Sequence, residues 1–174
     1  MRTLAFLLWV ALVGLVATPR DAAAQSWQRY QSPEGFFSVM LPKAPTTKSA
    51  PVDTNGAVTQ YDYLASLEPI AYQVTVLVFG SGSNTPVASD AYWTRVLQGY
   101  AKGSGSVLRS QRPIVIAGQN GIEGLSDDAK TDLHHRIDLF IAGNRLYFIV
   151  AAGPGNFPAS ADAARYFNSF QIPQ

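Results

Sequence analysis

Apolar residues recur at every second position in the best-defined strands of this chain, and at helical spacing in two stretches. The clearest alternation lies in Ala71 to Phe79, where Tyr72, Val74, Val76 and Val78 share one side while Gln73 and Thr75 take the other. That period of two belongs to a half-buried strand. Leu77 and Phe79 interrupt its polar side, so this end of the strand is expected to be covered on both faces. Val58 to Leu67 reads as a preceding strand, separated from it by Glu68-Pro69.

Leu133 to Ala142 and Arg145 to Ala152 form the best-defined hairpin, because Gly143-Asn144 suits a two-residue turn with positive φ. That turn predicts Ile141 opposite Leu146, Leu139 opposite Phe148 and Ile137 opposite Val150, all on one face. Phe140 then opposes Tyr147 on the other face. A first hairpin is expected from Trp27 to Gln31 and Phe36 to Leu41 around Ser32-Pro33-Glu34-Gly35, stopped by Pro42 and Pro45. Thr46 to Val52 is an edge strand or a loop, followed by a turn at Asp53-Thr54-Asn55-Gly56. Further strands are predicted at Val107 to Arg112, Ile114 to Ala117 and Gln119 to Leu125, with turns at Pro113 and Gly118.

The first helical stretch runs from Asp90 to Lys102, capped by Ser89 or Asp90 and stopped at Gly103. Tyr92, Trp93, Val96, Leu97 and Tyr100 make one apolar stripe, which is expected to pack on the sheet. A terminal helix is predicted after Gly153-Pro154-Gly155, capped by Ser160 and reaching Ser169, with Ala163, Phe167 and Phe170 on one path. Strands grouped in meanders with two helices predict an α+β fold, a mainly antiparallel sheet with helices packed on it.

Residues 1–24 carry the pattern of an export signal. Arg2 supplies a positive start, Leu4 to Val16 an apolar run, and Ala22-Ala23-Ala24 a small-residue cleavage site before Gln25. The run stops short of the roughly 20 apolar residues that span a bilayer. With no cysteine in the chain, there is no thiol to carry a lipid or form a disulfide. The expectation is a cleaved signal, then one domain over residues 25–174, periplasmic or secreted, without a stable membrane anchor.

Charge narrows the partner. Of 13 basic and 12 acidic residues, the leader removes Arg2, Arg20 and Asp21 and leaves the two signs balanced. No field draws the remainder to nucleic acid.

Candidate chemistry is sparse. Asp127, Asp128, Asp132 and His134 are the densest set of metal-ligating types, but they lack the alternation, central Gly and terminal Glu of a calcium loop. A solvated acidic turn accounts for the same residues. His134 and His135 are adjacent on a strand and point to opposite faces, His135 toward Ile137 and Leu139, His134 toward Arg136 and Asp138. No serine sits in G-x-S-x-G, and Gly80 to Ser83 and Gly103 to Ser106 fit no nucleotide-binding loop, so no cofactor is implied. Tyr92, Trp93 and Tyr100 are the candidate ligand-binding residues, in a cleft between helix and sheet. Core packing explains the same aromatics, together with Trp27 and Tyr30.

Trp27-Gln28-Arg29-Tyr30 with Pro33 to Pro42, and Arg145 to Val150 with Arg165 to Phe170, resemble small exported bacterial proteins of the Mog1/PsbP-like type. The resemblance implies an antiparallel sheet sandwiched by helices across nearly all of residues 25–174. It also implies an accessory or interaction role, with no catalytic residues to carry over. The leading expectation is therefore a non-enzymatic exported module that binds a protein or envelope component by a sheet edge or an exposed aromatic patch. A small-ligand carrier using Tyr92, Trp93 and Tyr100, and a metal-dependent hydrolase using Asp127, Asp128, Asp132 and His134, are the alternatives.

Overall fold

The described residues of the computed structural model are 26–52, 57–81, 83–128 and 130–173. The expected leader, residues 1–24, and the expected turn at residues 53–56 lie outside them. In chain order the elements are β1 (Gln28–Gln31), β2 (Ser38–Leu41), β3 (Thr46–Pro51), β4 (Val58–Leu67), β5 (Ile70–Phe79), α1 (Asp90–Ser104), β6 (Val107–Ile116), β7 (Gln119–Asp128), β8 (Leu133–Ala142), β9 (Arg145–Pro154) and α2 (Ala161–Asn168). A short 3-10 turn, Phe157–Ala159, leads into α2.

The Gly143-Asn144 turn sets the register as its chemistry requires: Ile137, Leu139 and Ile141 face Val150, Phe148 and Leu146, and Phe140 faces Tyr147. β8 and β9 lie inside a seven-stranded antiparallel sheet of order β3-β4-β5-β9-β8-β7-β6. The chain lays β3 to β5 on one side of the sheet and, after α1, β6 to β8 on the other. The last strand, β9, closes between them. Because β9 sits centrally, both of its faces are apolar and seven of its ten residues are buried.

Two cores result, one on each face. On the first, the β1–β2 hairpin and α2 cover Tyr63, Tyr72, Val74, Val76, Phe140 and Tyr147. Phe37 stacks on Phe170 at 5.4 Å, and Trp27 meets Tyr72 edge-on at 5.3 Å. On the second face, Trp93 and Leu97 of α1 pack against Ile122, Ile137, Leu139 and Val150, with Leu77 and Phe79 at the margin. The double covering expected at the end of β5 is thus present.

Several boundaries differ from the sequence expectation. α1 passes through Gly103 and ends at Ser104, with Gly105 in the left-handed region at φ 75. Two glycines compete for that role, and the one followed by Ser106, whose N–H returns to the Ala101 carbonyl at 2.8 Å, completes the cap. Pro113 does not divide β6, because β6 is an edge strand and a missing donor there leaves no ladder bond unmade. β3 forms the opposite edge and is exposed throughout. Ser160 caps α2 as expected, its hydroxyl accepting from the Ala163 N–H at 3.2 Å.

The covering layers are displaced in opposite directions across the sheet. The hairpin and α2 leave β6 and β7 open on the first face, while α1 leaves β4 and part of β5 open on the second. Each uncovered strip carries polar or charged side chains, Arg112 and Glu123 on the first face and Gln60, Asp62, Gln73 and Thr75 on the second.

Candidate functional site

The open strip on the first face is a charged ledge. Register places Arg112 of β6 beside Glu123 of β7, and Glu123 beside Asp138 of β8, with Arg136 two residues along on the same side. Arg112 grips Glu123 with two bonds, Nε to Oε1 at 2.6 Å and a terminal nitrogen to Oε2 at 2.8 Å. Arg136 bonds both oxygens of Asp138, at 3.0 and 2.8 Å, and reaches Glu123 Oε2 at 3.0 Å. Its guanidinium also lies 3.9 Å over the ring of Phe167 on α2.

The two carboxylates are buried while the Arg112 side chain is 66% exposed. Burial pushes the Asp138 carboxyl up to about 6, against the pull of Arg136. The ledge borders a cavity of about 370 Å³ lined by Arg109, Arg112, Arg136, His134 and, from the turn before α2, Asn156. Arg109 is the extra residue of a bulge in β6, which directs it to Asp127 at 3.4 Å.

Of the predicted ligand set Asp127, Asp128, Asp132 and His134, only His134 lines this cavity, and the four do not converge. His134 Nδ1 meets Asp127 at 2.7 Å while Nε2 meets Asp132 at 3.5 Å, so the carboxylates stand at opposite nitrogens of one ring. The hydrogen bond to Asp127 holds the imidazole above its usual value. Asp128 turns away, accepting from the Lys130 N–H at 2.9 Å and the Thr131 hydroxyl at 2.6 Å. Among the described residues no three His, Asp or Glu side chains are grouped to hold a metal ion. The geometry is that of an ion-paired turn, which gives the hydrolase reading no support.

The three aromatics of the predicted cleft have separated roles. Trp93 is buried in the second core, and Tyr92 packs against it edge-on at 5.2 Å. Both rings pack in or against the second core. Tyr100 alone lines a groove, of about 240 Å³, whose floor is Gln60 and Asp62 of β4 and Gln73 and Thr75 of β5. The Tyr100 hydroxyl is 2.9 Å from Nδ1 of His135, and the other ring nitrogen, Nε2, is buried without a hydrogen-bond partner.

The expected exposed aromatic patch is not found among the described residues, where the exposed large apolar side chains are Val52, Leu64, Val87, Val107 and Val115. The rings are consumed by the two cores. Arg112, Glu123, Gln60, Asp62, Gln73 and Thr75 were not singled out by the sequence reading. A two-residue turn at Ala117-Gly118 would have paired Arg112 with Glu123, since the same counting pairs Ile116 with Gln119.

No protein-family model matches this chain, and no curated protein matches it. Among solved structures, it is similar to the solution structure of cyanobacterial PsbP, CyanoP, from Synechocystis sp. PCC 6803. The similarity covers 92% of this chain and 100% of that one, with a TM-score of 0.57 and 11% identity. The fold is PsbP-like. A Pseudomonas aeruginosa protein of unknown function is similar over 79% of this chain and 90% of its own, with a TM-score of 0.40 and 13% identity. The PsbP-like fold agrees with the architecture that the framing motifs imply, an α+β antiparallel sheet between helical layers. It fixes the scaffold on which ledge and groove sit; their chemistry comes from their own residues. Among the described residues no helix is long and apolar enough to cross a membrane.

Proposed function

We propose that this chain is an exported, non-enzymatic accessory module, and that the ledge of β6 to β8 is where it recognises a protein or envelope component. The observation that carries this reading is the burial of Glu123 and Asp138 beneath two arginines at the edge of an open cavity. Buried ion pairs are a poor source of stability, because desolvation offsets their attraction. A network of this kind does more for orientation than for the fold. It holds Arg112 and Arg136 rigidly at the cavity, with Arg109 beside them, and a rigid arginine fork suits a carboxylate-bearing partner segment.

Export is supported by the leader pattern of residues 1–24. The PsbP-like scaffold is compatible with an accessory role.

The test is site-specific photocrosslinking in intact cells, with the reactive group placed at Arg109 on the ledge or at Lys48 on the far edge. A discrete crosslinked species from position 109, absent from position 48 and diminished by Arg112→Ala, is expected. Free monomer alone from position 109, or the same species from both positions, would overturn the assignment.

A further inference from the structure

The open strip on the second face has a different chemistry, and we propose that it binds a neutral, hydroxyl-rich ring, one unit of a saccharide. This goes beyond partner recognition by the ledge and uses none of its residues. The floor of the groove is one face of the sheet, where Gln60, Asp62, Gln73 and Thr75 alternate along two paired strands with Asp62 directly opposite Thr75. Their side chains are locked together around the carboxylate. Asp62 Oδ2 accepts from Gln60 Nε2 at 2.7 Å, and Oδ1 from the Thr75 hydroxyl at 2.5 Å and Gln73 Nε2 at 3.5 Å. Gln73 Nε2 also donates to Thr75 Oγ1 at 3.0 Å.

A carboxylate only accepts, so the orientation of both amides is fixed by chemistry: nitrogens toward Asp62, carbonyl oxygens away from it. The groove therefore offers two amide carbonyls, the remaining lone pairs of Asp62 and the second N–H of Gln60. This is a mixed set of acceptors and a donor in fixed positions. Hydroxyl groups, each both donor and acceptor, are the groups that match such a set. Pre-organisation by the network removes much of the ordering cost of binding.

Leu77, Tyr100, Phe148 and Val150 form the apolar wall. Tyr100 is held by its bond to His135, which leaves its ring, not its hydroxyl, for contact. A polar floor beside an aromatic wall fits the two sides of a sugar ring, with its hydroxyl edge and its C–H face. The volume of about 240 Å³ is below the ~300 Å³ at which drug-sized pockets begin, and suits one ring rather than a larger ligand.

Charge decides between a neutral ligand and an ion. Lys48 of β3 is the register partner of Asp62 and shares its face of the sheet. The one carboxylate among the described residues of the groove, Asp62, already accepts from Gln60, Gln73 and Thr75, and a lysine stands one strand away, so neither an organic cation nor an anion is favoured over an uncharged polyol.

The test is titration of the isotopically labelled protein with glucose and N-acetylglucosamine, followed by amide chemical shifts. Butylammonium chloride and sodium acetate serve as charged probes. Saturable shifts are expected at Gln60, Asp62, Gln73 and Thr75, including the side-chain amides, and should be insensitive to salt. Gln73→Ala should weaken binding about tenfold, the loss of one hydrogen bond to ligand together with part of the locked floor. If that change disturbs β5, Gln60→Ala gives a milder variant, because Gln60 joins the network through one bond to Asp62. Absence of shifts at these residues with either sugar, or saturation by butylammonium or acetate instead, would overturn the proposal.

Discussion

The Tyr100 hydroxyl and Nδ1 of His135 meet at 2.9 Å, tying the last turn of α1 to the start of β8. Burial holds the imidazole below its ordinary value and pushes the phenol up to about 12, so the contact joins two neutral groups. In the unfolded chain His135 titrates near its usual 6.5, and between that pH and the lower folded value the unfolded state binds more protons. Its contribution to stability is complete above about pH 6.5, declines as the pH falls toward the folded value, and is constant below it. Replacing His135 by Phe should remove this acid-side slope. Urea unfolding of protein and variant at about pH 7.5 and about pH 5 checks it: the gap between them should shift toward the variant at the lower pH.

Asp138 has the opposite sign. Burial raises its carboxyl from 3.8 to about 6, so its contribution is favourable below about pH 4 and lost as the pH rises through about 6. The side-chain carboxyl carbon of Asp138 should titrate with a midpoint near 6 in carbon-detected magnetic resonance; a midpoint near 4 would count against the burial argument. Asp138→Asn should gain on the unsubstituted protein between these pH values, by about 3 kcal/mol at most. Loss of the paired bonds to Arg136 acts against this gain at every pH.

Much of the scaffold is legible in the sequence because its signals are local. The Gly143-Asn144 turn pairs β8 with β9 residue by residue, and the stripe of α1 identifies the face that becomes the second core. What the sequence does not disclose is the order of the strands. Only once β9 is inserted between β5 and β8 do Gln73 and Thr75 acquire Phe148 and Val150 as neighbours and the groove exist. The ledge is partly legible, since Arg136 and Asp138 share the polar face of β8 on spacing alone. Its depth is not, because the fully buried Asp138 lies beside Phe167 and Tyr166, from a helix that follows it by more than two strands' length of chain. Tyr92, Trp93 and Tyr100 look equivalent as a stripe, and only the displacement of α1 across the sheet separates the two core rings from the one at the groove.

The proposed export makes a direct prediction. If residues 1–24 act as its signal, the processed protein should begin at Gln25, after Ala22-Ala23-Ala24. N-terminal sequencing of material from the extracytoplasmic fraction checks it. A retained Met1 would place the chain at the membrane by its apolar run and would make the ledge's partner a membrane-proximal one.

Close approach of α1 to β7 depends on Gly124. A Cβ at this position would fall 2.5 Å from Cδ2 of Leu97, itself fully buried, so the helix sits where only a glycine permits. Gly124→Ala should destabilise by about 1–3 kcal/mol through overpacking. Leu97→Ala alone should cost about 2–5 kcal/mol through the cavity it opens. Combined, the added methyl enters the space that the leucine leaves, and the pair should cost less than the two changes separately by about 0.5–3 kcal/mol. Gly99→Ala supplies the contrast: it lies on the exposed side of the same helix with no atom near its would-be Cβ, and it should stabilise by up to about 1 kcal/mol. Denaturant midpoints for the four variants decide the matter. Simple additivity at positions 124 and 97 would mean that the helix shifts away from β7 rather than being held against it.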